Sequence, residues 1–213
     1  MKPISIIILF FLIINISSKA QSKEFVAGVS LGFYGIHING EISEIYAPTH
    51  GIYWGTGGLS FGLNVKRDIS NKTYALLEIR YSRKGSLYEF ITNKSTQGYE
   101  SIRLDYIELP ILFGYKMDLK NKLLFFETGL SFSRLVYSKM EVNIYNWWDT
   151  SNKLSRLNKN DLSWIAHLKY PITKSNRLHL GFRFAYSIFS IHSDYKIHNM
   201  VYGLEFCYLL NAE

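Results

Sequence analysis

Residues 103–117 read RLDYIELPILFGYKM, and every second residue from Ile107 to Tyr115 is large and apolar. The residues between them are mixed: Glu108, Pro110, Leu112 and Gly114. Because successive side chains of a strand point to opposite faces, one face of this segment is uniformly apolar and the other is not. The pattern predicts a long β-strand whose apolar face meets an apolar environment.

The same alternation occurs in eight segments. Each is long enough to cross a bilayer as a tilted strand, which takes about 9 to 11 residues. The connections after the first, third and fifth segments (39–51, 91–100 and 139–161) are long, and those after the second, fourth and sixth (67–72, 118–122 and 172–176) are short. Alternating long and short connections with an even strand number predict an all-β fold, an eight-stranded antiparallel up-and-down transmembrane β-barrel. The segments are 25–38, 52–66, 73–90, 101–117, 123–138, 162–171, 177–191 and 197–210.

A soluble barrel or β-sandwich is the alternative reading of the same alternation. Only 19% of the residues are charged while 16% are aromatic, and the charges avoid the uniformly apolar faces. A water-facing surface would carry more Lys and Glu on each strand, so the membrane barrel is favoured. Tyr and Trp residues near the strand ends fit girdles at the two interfaces. They are Trp54, Tyr81, Tyr106, Tyr137, Trp164 and Tyr186 at one end, and Tyr115, Tyr170 and Tyr208 at the other.

The amino terminus has the features of a secretory signal. Lys2 precedes an apolar run over 4–14, and Ser18-Lys19-Ala20 places small residues where a signal peptidase cleaves. We therefore expect a signal peptide over 1–20 and a barrel domain over 21–213. The expected location is the outer membrane, with both termini in the periplasm and membrane lipid as one partner.

Charge and motifs argue against several functional classes. Removing Lys2 and Lys19 with the signal lowers the net charge from +7 to +5, and no run of five like charges occurs, so no nucleic-acid partner is expected. The six His show no His-Glu-x-x-His spacing, and Cys207 is the single cysteine. With no nucleophile elbow or phosphate-binding loop either, we expect no enzyme, catalytic residue, metal or cofactor.

The faces opposite the apolar ones carry isolated charges that would point into the barrel. An eight-stranded barrel is filled by its own side chains, so these charges must pair with one another or with trapped water. We expect a structural ion-pair network in which Glu108 and Glu127 share Arg80 or a nearby base; a gate or ion path is the functional alternative. The predicted set is Glu78, Arg80, Glu108, Lys116, Glu127, Lys169, Arg183 and Glu205, with Lys84, His167 and His179 beside it.

Two further features have predicted roles. Pro110 lies in mid-strand and cannot donate a ladder hydrogen bond, which predicts a bulge or kink there. The predicted loop 139–161 carries Tyr145, Trp147 and Trp148, whose rings could contact an extracellular partner or pack on the barrel rim.

Two motifs carry a family resemblance. Tyr81-x-x-Lys84-Gly85, followed by Leu104-x-Tyr106-x-Glu108-Leu109-Pro110, resembles the paired signatures of the PorT-like outer-membrane β-barrels of Bacteroidota. The resemblance covers about forty residues in motif and the chain from Glu24 onward in architecture. It implies a barrel in the outer membrane and, from the named member of that family, a role in type IX secretion or gliding.

These observations predict an outer-membrane barrel with a filled lumen and a structural or interaction role. A PorT-like accessory of secretion, meeting envelope or secretion-machinery proteins, is the second hypothesis and rests on the resemblance. A lipid-modifying enzyme or small-ligand binder that uses the extracellular rim is the third.

Overall fold

A computed structural model describes residues 25–40, 51–92, 96–119, 122–144, 147–151, 156–194 and 196–210. The predicted signal peptide, 1–20, lies outside these residues. Within them no helix is long and apolar enough to cross a membrane. The described chain forms ten β-strands: β1 (Phe25–Gly40), β2 (Gly51–Trp54), β3 (Thr56–Asp68), β4 (Thr73–Thr92), β5 (Thr96–Leu119), β6 (Lys122–Ile144), β7 (Trp147–Ser151), β8 (Asn160–Pro171), β9 (Leu178–Ser187) and β10 (Ile197–Leu209).

Eight of these strands close into an antiparallel barrel. Going round the barrel, the order is β1, β3, β4, β5, β6, β8, β9 and β10, and β10 pairs with β1 again. β2 pairs with the last part of β4, and β7 with the last part of β6, so both lengthen the wall at one end. The predicted eight-stranded antiparallel barrel is confirmed.

The two ends of the barrel differ in what they carry. Phe25 at the start of β1 and Leu209 at the end of β10 lie at the same end, which we call the terminal end. β2, β7 and the connection between β9 and β10 lie at the opposite, distal end.

The outer wall is apolar, as the alternation predicts. Along β3, Leu59, Phe61 and Leu63 are 50%, 52% and 55% exposed, while Ser60 and Asn64 on the opposite face are buried. On the same outer face Trp164 is directly opposite Tyr186. Tyr106, which the girdle prediction placed outside, is fully buried in the lumen, because it alternates with the outward Ile107.

Several strands are longer than predicted. Most of the predicted loop 91–100 is strand instead, since β4 continues to Thr92 and β5 begins at Thr96. The predicted loop 139–161 is likewise partly strand, because β6 continues to Ile144 and pairs with β7. The alternation of apolar and polar residues marks only the part of a strand that faces lipid, so backbone pairing beyond that part leaves little trace in the sequence.

The bulge expected at Pro110 lies elsewhere. The register between β5 and β6 shifts where Asp105 and Tyr106 face Tyr137 and Leu135, which leaves Val136 as the extra residue. Pro110 itself stays in register opposite Ser131. On the other side of β5, the pairing with β4 is interrupted between Ile111 and Glu108. It resumes in the same register. The missing N–H of the proline therefore breaks one stretch of the ladder without inserting a residue.

Candidate functional site

The candidate site is the barrel interior, where strand alternation brings charged side chains from opposite walls together. Arg80 on β4 lies at its centre and is 1% exposed. Its Nη2 lies 2.7 Å from Glu78 Oε1 on the same strand and also donates to Glu205 on β10. Its Nη1 donates to Tyr34 Oη at 2.6 Å and to Ser60 Oγ at 2.7 Å. One guanidinium thus joins β1, β3, β4 and β10.

Arg183 on β9 is the second buried guanidinium of the interior. Its Nη1 lies 3.4 Å from Glu78 Oε2 and 3.8 Å from Glu205 Oε2, so it faces the same two carboxylates as Arg80. Its Nη2 lies 4.0 Å from Glu108 Oε2. Burying charges costs solvation free energy unless each is matched, and two guanidiniums against two carboxylates meet that requirement.

A second cluster lies toward the distal end. Lys84 Nζ is 2.7 Å from Glu108 Oε1 and 3.5 Å from Asp161 Oδ2. The same Asp161 oxygen accepts hydrogen bonds from Ser163 at 3.1 Å and from Ser187 at 2.9 Å. The lysine therefore ties β4 to β5 and β8.

A third cluster lies toward the terminal end. Lys169 Nζ is 2.9 Å from Glu127 Oε2, and Tyr74 donates to Glu127 Oε1 at 2.8 Å. The His167 ring lies between two carboxylates, 3.3 Å from Glu127 and 3.5 Å from Glu205. His167 thereby connects this cluster to the one around Arg80.

Glu108 and Glu127 do not share a base, contrary to the prediction. Arg80 is directly opposite Glu108 in the ladder, yet its guanidinium is bonded to residues of β1, β3 and β10. In a narrow barrel a long side chain can reach across the lumen, so ladder neighbours on adjacent strands need not be ionic partners.

Lys116 does not join the buried clusters either. It lies nearer the terminal rim, where it is partly exposed and its Nζ lies 2.7 Å from Asp68 Oδ2. His179, also at this end, bonds the backbone oxygen of Asn176 at 2.7 Å. The remaining members of the predicted set, together with Lys84 and His167, are buried inside the barrel.

Tyr34, Tyr74 and Asp161 are among the interior residues that were not in the predicted set. Asp161 could have been found, because the alternation through Lys169 and His167 reaches it. The predicted segment 162–171 stopped one residue short, whereas β8 begins at Asn160. The two tyrosines could not be told from outward aromatic residues by residue type alone.

Glycine on the inner face makes room for these groups. A Cβ atom at Gly62 would lie 2.2 Å from Glu78 Oε1 and 2.5 Å from Ser30 Oγ. Ser30 donates to that same carboxylate oxygen at 2.5 Å. The glycine therefore allows the Glu78 carboxylate to lie against the barrel wall.

An apolar layer covers the charged clusters at the distal end. Ile191, from the connection between β9 and β10, is 2% exposed and packs with side chains of β1, β5 and β10. The connection is held by backbone hydrogen bonds from Ile191 N to Ile197 O and from Asn158 N to Ile191 O, both 2.8 Å. We call this layer the distal cap; it consists of Ile38, Ile102, Leu104, Tyr106, Ile191 and Ile197.

A small cavity lies inside the described barrel near the terminal end. A cavity between Lys66, Tyr74 and Lys169 leaves about 10 Å³ accessible to the centre of a water molecule. That is room for about one water. The described part of the chain also contains no group of three or more His, Cys, Asp or Glu placed to hold a metal ion.

The predicted partner-contact residues are only partly described. Tyr145 lies outside the described residues. The backbone of Trp147 and Trp148 belongs to β7, opposite Ile144 and Asn143 of β6, and their side chains are outside the described part of the structure. Trp147 and Trp148 therefore belong to a strand that continues the barrel wall beside β6.

A closed antiparallel barrel with an apolar outer wall and a polar, filled interior defines a class of protein, the transmembrane β-barrel. The sequence also matches a known family over residues 19–193, described as "Outer membrane protein beta-barrel domain". The chain belongs to this family and is an outer-membrane β-barrel protein.

Several solved structures are similar in outline. Neisserial surface protein A is 13% identical, with 86% of this chain and 97% of that chain covered and a TM-score of 0.48. Ail of Yersinia pestis, in complex with the heparin analogue sucrose octasulfate, is 12% identical over 87% and 99%, with a TM-score of 0.43. The outer membrane protease OmpT from Escherichia coli is 11% identical over 91% and 99%, with a TM-score of 0.39. No curated protein matches the sequence.

Proposed function

We propose that the protein is a sealed barrel that acts through its outer wall and its distal end, in a structural or interaction role, and not as a channel. The observation that carries the proposal is the filled lumen. Arg80 bonds residues of four strands across the interior, and the distal cap lies over the charged clusters. A continuous water path would have to separate these buried ion pairs, which is costly.

Planar-bilayer recording tests this proposal. The purified barrel, checked for folding by its heat-dependent gel shift, should give no stepwise current, while a general porin inserted in the same bilayer should. Stable single-channel steps from the folded barrel would overturn the sealed-lumen proposal.

We propose further that the termini, and hence the terminal end, lie in the periplasm. The predicted signal peptide and the short turns at the terminal end support this orientation. In a Cys207→Ser background, a membrane-impermeant maleimide applied to intact cells should label a cysteine placed at Asp194 and not one placed at Lys174. The reverse labelling pattern would contradict the orientation.

The secretion-accessory hypothesis rests on the resemblance to the PorT-like barrels. The two motifs that resemble the PorT-like signatures contact each other, because Lys84 of the first binds Glu108 of the second and lies 4.8 Å from the centroid of the Tyr106 ring. On this hypothesis, deleting the gene lowers the amount of type IX cargo in the medium, and restoring the gene returns it. Unchanged secretion in the deletion strain would exclude the role.

We propose the paired strands β6 and β7 as the contact with an envelope partner. Two adjacent tryptophans in a strand pair beyond the barrel could supply the aromatic anchors that protein interfaces favour. A crosslinker placed at Thr150 should capture a partner from native membranes. In Trp147→Ala/Trp148→Ala the gel shift should persist while that crosslink disappears; a crosslink that survives the double substitution would contradict the proposal.

A further inference from the structure

The outer faces of β4, β5 and β6 carry a group of cations where the apolar wall ends. Three outward rows run across these strands in register. The first is Tyr81, Ile107 and Arg134; the second is Arg83, Asp105 and Tyr137; the third is Gly85, Arg103 and Lys139. We call Arg83, Arg103, Arg134 and Lys139 the cationic patch. Neighbouring strands lie about 4.8 Å apart, so these four side chains share one small area of the wall.

Two arginines of the cationic patch are held in place by a shared carboxylate. Asp105, with only 5% of its side chain exposed, lies 3.4 Å from Arg83 Nε and 2.7 Å from Arg103 Nη2. The Arg103 guanidinium also lies 5.3 Å from the centroid of the Tyr137 ring. The two arginine side chains remain 39% and 40% exposed, so part of each guanidinium is free to meet a ligand. Hydrogen bonds to Asp105 already fix the position of the Arg103 guanidinium.

The other two cations differ in their surroundings. Lys139 is paired with Glu141 on the same strand. Arg134 is exposed and, among the described residues, has no ion-pair partner. The patch therefore holds four cations against the two carboxylates of Asp105 and Glu141, which leaves it net positive.

The cationic patch is continuous with the lipid-facing wall. The outward row next to it toward the terminal end contains Ile79, Leu109 and Phe132, which are 59%, 39% and 54% exposed. Ile107, in the same row as Arg134, is also exposed. A lipid whose acyl chains lie along these side chains would bring its headgroup to the height of the four cations.

We propose that the cationic patch binds the phosphate-bearing headgroup of an outer-membrane lipid, with the acyl chains lying on the apolar wall beside it. Guanidinium forks match the geometry of phosphate oxygens. Asp105 fixes the Arg103 guanidinium in advance and forms an ion pair with Arg83. Arg134 and Lys139 add charge at two sides of the same area. The proposal goes beyond a sealed barrel, because it assigns a lipid of stated chemistry to a defined part of the wall.

Native mass spectrometry of the folded barrel in detergent tests the proposal. The probes are a bis-phosphorylated lipid A and the same lipid after removal of its phosphates. We expect the phosphorylated form to bind and the variant Arg134→Gln/Lys139→Gln to bind it about tenfold more weakly, since two exposed charge contacts are lost. The matched control is Lys72→Gln/Lys174→Gln, which removes two exposed positive charges at the terminal end and should bind as the unmodified protein does.

Three results would overturn the proposal: equal binding of the two lipids, equal weakening in the control variant, or full displacement of the lipid by millimolar inorganic phosphate. The last would indicate a simple anion site. Each variant is first checked for its heat-dependent gel shift. If the double variant does not fold, Arg134→Gln alone is used, and it should still weaken binding of the phosphorylated lipid.

Discussion

Lys84 Nζ lies 2.7 Å from Glu108 Oε1, which joins β4 to β5 inside the barrel. Both side chains are almost completely buried, and the lysine also lies against the Tyr106 ring. The glycine that follows Lys84 has a φ of 149°, and a Cβ atom there would lie 1.9 Å from the backbone oxygen of Ile102. Two short sequence motifs thus meet as one contact, in which the lysine is bonded and the glycine allows close approach of β5.

Replacing Glu108 with Ala should strongly destabilise the barrel. Lys84 would keep only the longer contact with Asp161, and Arg183 would lose a nearby carboxylate, so buried positive charge would be left without compensation. We expect the free energy of unfolding in urea to fall by about 3–5 kcal/mol. Glu141→Ala, which removes an exposed partner of Lys139, is the matched control and should cost under about 1 kcal/mol. An unchanged unfolding midpoint in Glu108→Ala would show that the buried ion pair between Lys84 and Glu108 does not stabilise the barrel.

Strand alternation predicted which residues face inward but not which of them meet. Glu78, Arg80 and Glu205 could be assigned to the lumen because a period of two fixes the face of every residue in a strand. Their pairing depends on how the strands are inclined and on how far each side chain reaches across the lumen. The two-residue alternation encodes neither the inclination of the strands nor the reach of the side chains. The prediction that Arg80 pairs with Glu108 is therefore wrong.

The ends of the strands were predicted less well than their middles. The alternation disappears where both faces of a strand meet water, although the backbone of β6 still pairs with β7 through Ile144. The extra residue Val136 also changes which positions of β6 face outward, and nothing in the residue types near it marks a bulge. The sequence therefore predicts the part of a strand that faces lipid better than the part that extends beyond the membrane.

Gly62→Ala should disturb the ion pairs around Arg80. The new methyl group would overlap Glu78 Oε1 and Ser30 Oγ, so the carboxylate would have to move away from its partners. Overpacking of this kind costs about 1–3 kcal/mol in unfolding free energy. Gly57→Ala on the same strand is the control, because its Cβ would have no atom within 4 Å. Equal stability of the two variants would show that the space at Gly62 is not needed.

Ile191→Ala tests whether the distal cap supplies stability and not only closure. A fully buried isoleucine reduced to alanine costs about 2–5 kcal/mol, and the effect should appear in the urea midpoint. Ile188→Ala, in the same connection but 43% exposed, should change it little. We also expect no ion conductance from Ile191→Ala, because the buried clusters below the cap still fill the lumen. A conducting variant would show that the cap alone seals the barrel.

Asp194 should titrate at a lower pH than an ordinary aspartate. Ser193 Oγ donates to its carboxylate at 2.9 Å, and Arg156 pairs with it, and both lower the pKa of Asp194. Because the folded pKa of Asp194 is depressed, its contact with Arg156, which precedes β8, is favoured above the unfolded pKa of about 3.9. The contact is lost as pH falls through the folded pKa. NMR titration of the Asp194 carboxyl carbon measures this midpoint. Ser193→Ala should move it upward, toward the ordinary value, while Ser175→Ala, on a turn at the terminal end, should leave it unchanged. A midpoint at or above that of a free aspartate would contradict the assigned hydrogen bond and ion pair.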